Sequence, residues 1–326
     1  MKRQYLYIEV WWMKVIYIIF ALFIVGCSSV PIGKKYSKVI YTNQIFQSDA
    51  LIVGVGKYKN RIRPLSGVKK DLKKIKKFFN NFHITHITTL ENNKARLKDV
   101  RDAFNSYIYS TKNRKENTFI FYYSGHGIQV IDSNGDEKDN KDEATALYDI
   151  DLNDKDFITG GVLLDDELHS LLAQIDSKKI IIFDKCHSGS SHRGNSPYIK
   201  SIKGEYKLST KFLEDINQNI KSKKPLKDFI IFSATKDDQE AEDSPIGGLF
   251  TNSFVDGIIH KKADRNNDNK ITIAELEKFC GENISALASE ISRNNKNISL
   301  KGKFKPYFAP KEVKNNTISS IFNFIH

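Results

Sequence analysis

Short apolar runs alternate with longer amphipathic stretches along the middle of the chain. Ala50 to Gly56, Ile84 to Leu90, Asn117 to Tyr123, Lys179 to Asp184 and Phe229 to Ser233 carry β-branched and aromatic residues and read as strands. Between the first two, Val68, Leu72, Ile75, Phe78 and Phe79 recur with a helical period. Lys94 to Tyr109, Leu163 to Ile175, Asn252 to His260 and Ile273 to Asn283 read as further helices, and Asp165 and Asp166 sit favourably near the start of theirs. This alternation predicts an α/β domain whose parallel sheet is covered on both faces. The right-handed crossover rule puts the third and fourth strands side by side. Ser188 to Lys224 breaks the pattern: it is rich in Ser, Lys, Asn and Gly, and it reads as a long polar insertion.

Two of the strands end in reactive groups. Ile180-Ile181-Ile182-Phe183-Asp184 runs into Lys185-Cys186-His187-Ser188-Gly189, and Phe119 to Tyr123 runs into Ser124-Gly125-His126-Gly127. In an open parallel sheet, ligands bind at the C-terminal strand ends. A thiol and an imidazole presented there are the minimum parts of a nucleophile–base pair. Gly54-x-Gly56 has no third glycine opening a helix, so it reads as a tight strand exit and not a phosphate loop.

The first 26 residues look like an address. Val15 to Gly26 is too short to span a membrane and fits the apolar region of a secretory signal. It ends Ile24-Val25-Gly26-Cys27-Ser28-Ser29, which resembles a bacterial lipoprotein signal. That resemblance implies cleavage before Cys27, a lipid on Cys27, and a membrane-anchored protein facing the periplasm or the cell exterior. Met13-Lys14 directly precedes the apolar run and is an alternative start to Met1. Residues 27–49 read as a polar tether, 50–310 as the folded domain and 311–326 as a C-terminal tail.

Composition changes little in this picture. A net charge of +12 suggests nucleic acid, but the lysines are scattered along amphipathic segments and no nucleic-acid motif is present. No nucleic-acid partner and no organic cofactor are expected. The three cysteines, Cys27, Cys186 and Cys280, suggest no disulfide framework. Cys280 shares a helix face with Leu276 and Ile284 and reads as a buried small hydrophobe.

Tyr123-Ser124-Gly125-His126-Gly127 and Asp184-Lys185-Cys186-His187-Ser188-Gly189 resemble the two catalytic motifs of the caspase-like cysteine peptidases, closest to the metacaspase branch. Leu65 to Asp71, Gly135 to Glu143, Leu164 to Leu168, Phe232 to Ala241 and Gly248 to Thr251 extend the likeness over residues 50 to 310. The resemblance implies a three-layer α/β/α sandwich around a mostly parallel six-stranded sheet. It implies a cysteine endopeptidase in which Cys186 attacks the peptide carbonyl, His126 moves the proton, and the amides of Gly127 and Cys186 hold the oxyanion. A side chain at 127 is expected to crowd the substrate. Asp71 and Asp184 match the acidic pocket that selects Arg or Lys, since a buried guanidinium or ammonium needs such partners. Protein or peptide substrates with Arg or Lys at the cleaved position follow, and Arg193, Lys200, Lys203, Lys207 and Lys211 are candidate points of self-cleavage. The alternative is an inactive caspase-like lipoprotein scaffold that binds partners.

Calcium is the one cofactor suggested, at two places. The family resemblance maps a site onto Asp142, Asp165 and Asp166, although its further aspartate after the nucleophile has no counterpart in Ser190-Ser191-His192-Arg193. Residues 264–275 separately carry oxygen ligands at Asp264, Asn266, Asp268, Thr272 and Glu275, the spacing of an EF-hand loop, with Asn269 in place of the usual glycine. Lys185 stands where the family commonly has a small residue. It reads either as a cation favouring the Cys186 thiolate or as one obstructing the basic-residue pocket.

Overall fold

The structure is a computed structural model, and it describes residues 48–322 apart from 83, 85, 111, 113–116, 138, 154, 187–197, 236–240, 296–299 and 301–304. The signal sequence, the lipidation candidate Cys27 and most of the tether lie outside the described residues, as do His187 and Arg193. Among the described residues no helix is long and apolar enough to cross a membrane.

Five parallel strands and one antiparallel strand build the main sheet. They are β1 (Ser48–Gly54), β2 (His86–Glu91), β3 (Thr118–Ser124), β7 (Lys178–Asp184), β9 (Phe229–Ser233) and β10 (Tyr307–Ala309), in the order β10-β9-β7-β3-β1-β2. The expected neighbours β3 and β7 are adjacent and parallel, and Ser124 opposite Asp184 is their last register pair. β1 begins at Ser48, so the end of the segment read as tether is already paired in the sheet.

Because side chains alternate across a strand, the sheet divides the interior into two cores. Ile52, Tyr122, Ile182 and Phe232 face one core, closed by helices α1 (Val68–Asn81), α5 (Leu249–Ile259) and α6 (Ile273–Asn294). Val53, Phe121, Ile181 and Phe183 face the other, closed by α2 (Leu97–Ser110) and α3 (Asp165–Ala173). This is the expected three-layer α/β/α sandwich with its mostly parallel six-stranded sheet. Cys280, Leu276 and Ile284 are buried together as expected, and burial raises the Cys280 thiol well above its ordinary value.

Two expectations change. A second sheet, of β4 (Gly127–Ile131), β5 (Lys141–Leu152), β6 (Phe157–Leu164) and β8 (Ser201–Leu208), closes into a small barrel. The stretch read as a polar insertion thus supplies both β8 and helix α4 (Thr210–Asn219), with Phe212 and Ile216 packed into the second core. Only part of each of these elements is buried, so their apolar residues are too diluted by Lys, Glu and Gly to register as a pattern. The supposed tail also belongs to the domain. In helix α7 (Ile318–Ile321) and just after it, Ile318, Ile321 and Phe322 are buried, with Phe322 edge-on to Phe78 at 5.6 Å between ring centroids.

Candidate functional site

His126 and Cys186 each stand two residues beyond the last register pair of β3 and β7, so the sheet itself brings the imidazole and the thiol to one edge. His126 is buried. Its backbone N–H donates to the Tyr58 hydroxyl at 2.9 Å, and its ring stacks on Tyr58 at 5.3 Å. Its Nε2–H donates to the Arg63 carbonyl at 2.8 Å, which fixes the tautomer and leaves Nδ1 with no hydrogen-bond partner among the described residues. Burial pushes the imidazole down to about 3; the Arg63 carbonyl opposes this, and the charges of Arg63 and Lys200 reinforce it. His126 is therefore neutral at physiological pH, with an open lone pair, as a general base requires.

The Cys186 thiol is buried and engaged elsewhere: Sγ accepts from the Ala241 N–H at 3.0 Å, and the thiol lies 3.5 Å from the Ala241 carbonyl. The two groups that the sequence reading set face to face are neighbours, but thiol and Nδ1 are not bonded in this state.

The candidate oxyanion donors converge. Gly127 N–H and Cys186 N–H both donate to the Lys200 carbonyl oxygen, at 2.9 and 3.2 Å. These are oxyanion-hole distances, filled here by a peptide carbonyl of the chain itself. The reason for glycine at 127 differs from the expected one: a Cβ there would lie 1.9 Å from the Cys186 carbonyl oxygen, so the backbone of the nucleophile, and not the substrate, excludes a side chain.

The same residue fills the acidic pocket. Lys200 Nζ is fully buried, 3.0 Å from Asp71 Oδ2, 3.0 Å from Asp184 Oδ1 and 3.0 Å from the Ser124 hydroxyl. Asp71 is 1% exposed and accepts from Ser124 Oγ and from the Gly248 N–H at 2.7 Å. Asp184 Oδ2 accepts from the Thr251 hydroxyl at 2.6 Å and the Thr251 N–H at 3.2 Å. Burial is the largest influence on Lys200 and works against its charge, but Asp184, Asp71 and Asp243 outweigh it and hold the ammonium protonated. Burial pushes the Asp71 carboxyl up to about 6 against the pull of that ammonium. Gly248 forms a wall, since a Cβ there would lie 2.5 Å from Lys200 Nζ and 2.1 Å from Asp184 Oδ2. Ser124, Thr251 and Gly248 lie within blocks that carry the family likeness and Asp243 just outside them, but no periodicity or spacing marked them as pocket residues. Lys200 was one candidate among five.

Lys185 stands off the basic-residue pocket and keeps an electrostatic link to Cys186, smaller than the influences of burial, Glu143 and Asp165. Strand alternation sends it away from Asp184, to the face of Phe183, whose ring centroid lies 5.3 Å from Nζ. It is buried there, its pKa lowered by burial and supported by Glu143 and Asp165.

The acidic residues group differently from either calcium expectation. Asp142 converges with Asp132 and Asp136, their ligand atoms within 4.8 Å of one another. Asp142 and Asp166 line one cavity of about 510 Å³, and Asp165 has a buried oxygen without a hydrogen-bond partner among the described residues. Burial, then neighbouring carboxylates, push Asp142 and Asp165 up to about 7. A hard divalent cation suits such oxygens, and among the described residues Asp132, Asp136 and Asp142 are the ones placed to hold it. In residues 264–275 the carboxylates are turned onto their own loop: Asp264 accepts from the N–H groups of Asp268 and Asn269, Asp268 from Lys270, and Glu275 closes a capping box with Thr272.

The caspase-domain profile matches residues 48–282. The chain belongs to the caspase-domain family. Metacaspase-1A of Aspergillus niger is 27% identical over 251 residues, which is 63% of this chain and 60% of that protein. Metacaspase-1 of Scheffersomyces stipitis is 25% identical over 255 residues, 75% of this chain and 57% of that protein. The chain thus aligns with about three fifths of the length of these relatives. Among solved structures, protein GSU0716 of Geobacter sulfurreducens superposes with a TM-score of 0.60 at 19% identity, over 82% of this chain and 96% of that one. Caspase-1 of Spodoptera frugiperda gives 0.51 at 10% identity, over 87% and 93%. Both share the fold.

Proposed function

We propose that the caspase-like domain is a cysteine endopeptidase that cuts after Arg or Lys, with Cys186 as nucleophile and His126 as acid–base. The observation that carries this reading is Lys200, whose carbonyl rests on the amides of Gly127 and Cys186 while its ammonium lies between Asp71 and Asp184. A peptide bound in the same way has its scissile carbonyl polarised by two N–H donors and its basic side chain neutralised by two buried carboxylates. An acidic side chain in that pocket faces Asp71, Asp184 and Asp243 with no cation, which disfavours cleavage after Asp. The neutral imidazole takes the thiol proton and later delivers it to the leaving amine.

The test is hydrolysis of fluorogenic peptides ending in Arg, Lys or Asp. Cleavage after Arg and Lys, none after Asp, and loss in Cys186→Ala are expected. Cleavage after Asp alone overturns the assignment.

The lipoprotein-like sequence around Cys27 supports a lipid anchor outside the cytoplasm. In a bacterial host, Cys27→Ala should move the protein from the membrane to the soluble fraction. Calcium, if bound, is held by Asp132, Asp136 and Asp142, beside Asp165 and Asp166, where it would offset the charge of the crowded carboxylates.

A further inference from the structure

Strands β1, β3, β7 and β9 run parallel, so their first residues share one edge of the domain and their last residues the opposite one. At the first edge Ser48 stands beside Thr118, Thr118 beside Lys178, and Lys179 beside Phe229. His126 and Cys186 follow the other ends. β1 has 7 residues, which puts the two edges about 20 Å apart.

The first edge carries a cleft of about 570 Å³. Lys178 and Lys179 of β7 line it, with Lys224 and Lys227 from the segment leading into β9 and the carboxylates of Asp176 and Asp228. That segment is pinned in place. The Ser170 hydroxyl of α3 accepts from the N–H groups of Lys221 and Ser222 at 2.8 and 2.9 Å, and His169 Nε2–H donates to the Lys224 carbonyl at 2.8 Å. At its far end the Asp228 carbonyl accepts from the Lys179 N–H at 2.8 Å.

Carbonyl oxygens take the two inner ammonium groups: Lys179 Nζ donates to Ile175 at 2.7 Å and Lys178 Nζ to Ile321 at 3.1 Å. Burial lowers the pKa of both, and Asp228 opposes it. Lys224 and Lys227 are exposed, and none of the four lysines forms an ion pair among the described residues. A solvated lysine surface accounts for Lys224 and Lys227. It does not account for a half-buried and a buried lysine set behind them, since like charges around one cleft repel. A bound anion does.

The chain enters the domain at Ser48, two strands from Lys178 along this edge, or about 10 Å. About 20 residues separate Cys27 from Ser48, and Lys34, Lys35 and Lys38 lie among them. A flexible chain of that length spans about 25 Å on average. A lipid on Cys27 therefore keeps this edge, and not the catalytic one, next to the bilayer.

We propose that the cleft of Lys178, Lys179, Lys224 and Lys227 docks the domain on an anionic phospholipid surface and takes a phosphate headgroup. The strand ends carrying His126 and Cys186 then point away from the bilayer. The inference rests on the Cys27 anchor proposed above: the anchor attaches the protein and the cleft orients it.

The full chain, produced in a bacterial host, is placed on vesicles of phosphatidylcholine alone or with about 30% phosphatidylglycerol, which makes the surface potential negative. Intact mass reads the lipid on Cys27. Brief acylation with an N-hydroxysuccinimide ester, mapped by peptide mass, reads each lysine. Lys224 and Lys227 should react about threefold more slowly on the anionic vesicles, as two-thirds occupancy of the docked state requires. Lys57 and Lys59, exposed beyond the other end of β1, should react alike on both. High salt should abolish the difference. In Cys27→Ala, the ratio of binding to anionic over neutral vesicles should fall about tenfold when Lys224→Gln and Lys227→Gln are added, because each lysine near such a surface strengthens attachment. The apolar residues 15–26 act on both surfaces alike and cancel from that ratio.

Equal acylation of Lys224 and Lys227 on the two vesicles, protection of Lys57 and Lys59 instead, or an unchanged ratio overturns the docking. So does equal protection by inorganic phosphate without vesicles, or stronger protection by polyglutamate or single-stranded DNA, since the cleft is then an ion or polyanion site. A mass without lipid refutes the anchor alone. The same acylation with the chain mixed into excess vesicles then decides the docking.

Discussion

The backbone amides of Gly127 and Cys186, from different strand ends, point at one oxygen, the carbonyl of Lys200, at 2.9 and 3.2 Å. That convergence depends on how closely the two backbones approach. Gly127 lies against the Cys186 carbonyl, and a Cβ there would meet it at 1.9 Å. Gly127→Ala should push the strands apart and spoil the hole. We expect kcat on Lys peptides to fall by roughly 10²–10³, the usual cost of losing an oxyanion donor, with KM changed much less. Steady-state kinetics beside a thermal melt separate this effect from misfolding.

The Asp71–Lys200–Asp184 cluster carries two negative charges and one positive. Removing the cation leaves two buried carboxylates uncompensated, whereas removing one carboxylate leaves a neutral pair. In a Cys186→Ala background, Lys200→Gln should therefore cost about 3–5 kcal/mol in urea unfolding, and Asp71→Asn distinctly less. The Lys200→Gln loss should be larger at pH 8 than at pH 5. Burial holds the Asp71 carboxyl above its unfolded value, so with the cation gone it is accommodated neutral only at low pH.

Burial raises Asp71 to about 6 even with an ammonium beside it. In the emptied pocket that stabilising partner is gone, so the group titrates at 6 or above. It is charged above that pH and neutral below it. For the Lys200→Gln protein, kcat/KM on Arg and Lys peptides should fall as pH drops through this region, since that ratio reports the free enzyme. His126, at about 3 in the resting state, does not supply this limb. A profile flat from pH 5 to 8 contradicts the assignment.

Gly248 backs the pocket so closely that a Cβ would stand 2.5 Å from Lys200 Nζ. Gly248→Ala should raise KM for basic peptides, while the fold, judged by circular dichroism, persists.

If calcium binds, it should do so through Asp142 and its neighbours, not through residues 264–275. Calorimetric titration of the full chain should lose its heat in Asp142→Asn and keep it in Glu275→Gln, whose carboxylate caps a helix with Thr272.

Much of this was legible in the sequence, for identifiable reasons. Strands of the main sheet are buried on both faces, so β3 and β7 appear as unbroken apolar runs, and the reactive groups follow directly at their ends. Residues at one strand end share a neighbourhood, which made His126 and Cys186 readable as a pair. The barrel was not readable. In β8, Lys203, Gly204, Glu205 and Lys207 are exposed, and what buries Ile202 is contact with elements distant in sequence.

By itself, the sequence determined the α/β class, five of the six strands of the main sheet and the adjacency of β3 and β7, and it singled out His126, Cys186, Asp71 and Asp184 as candidates. Only the tertiary structure decided what those aspartates hold. Lys200 is one basic residue among 51, and nothing near it in sequence sets it apart. Its position becomes specific when β4 and β8 pair and carry its carbonyl onto two amides and its ammonium between two carboxylates. These contacts join residues 14 to 129 positions apart, a separation that local patterning does not encode.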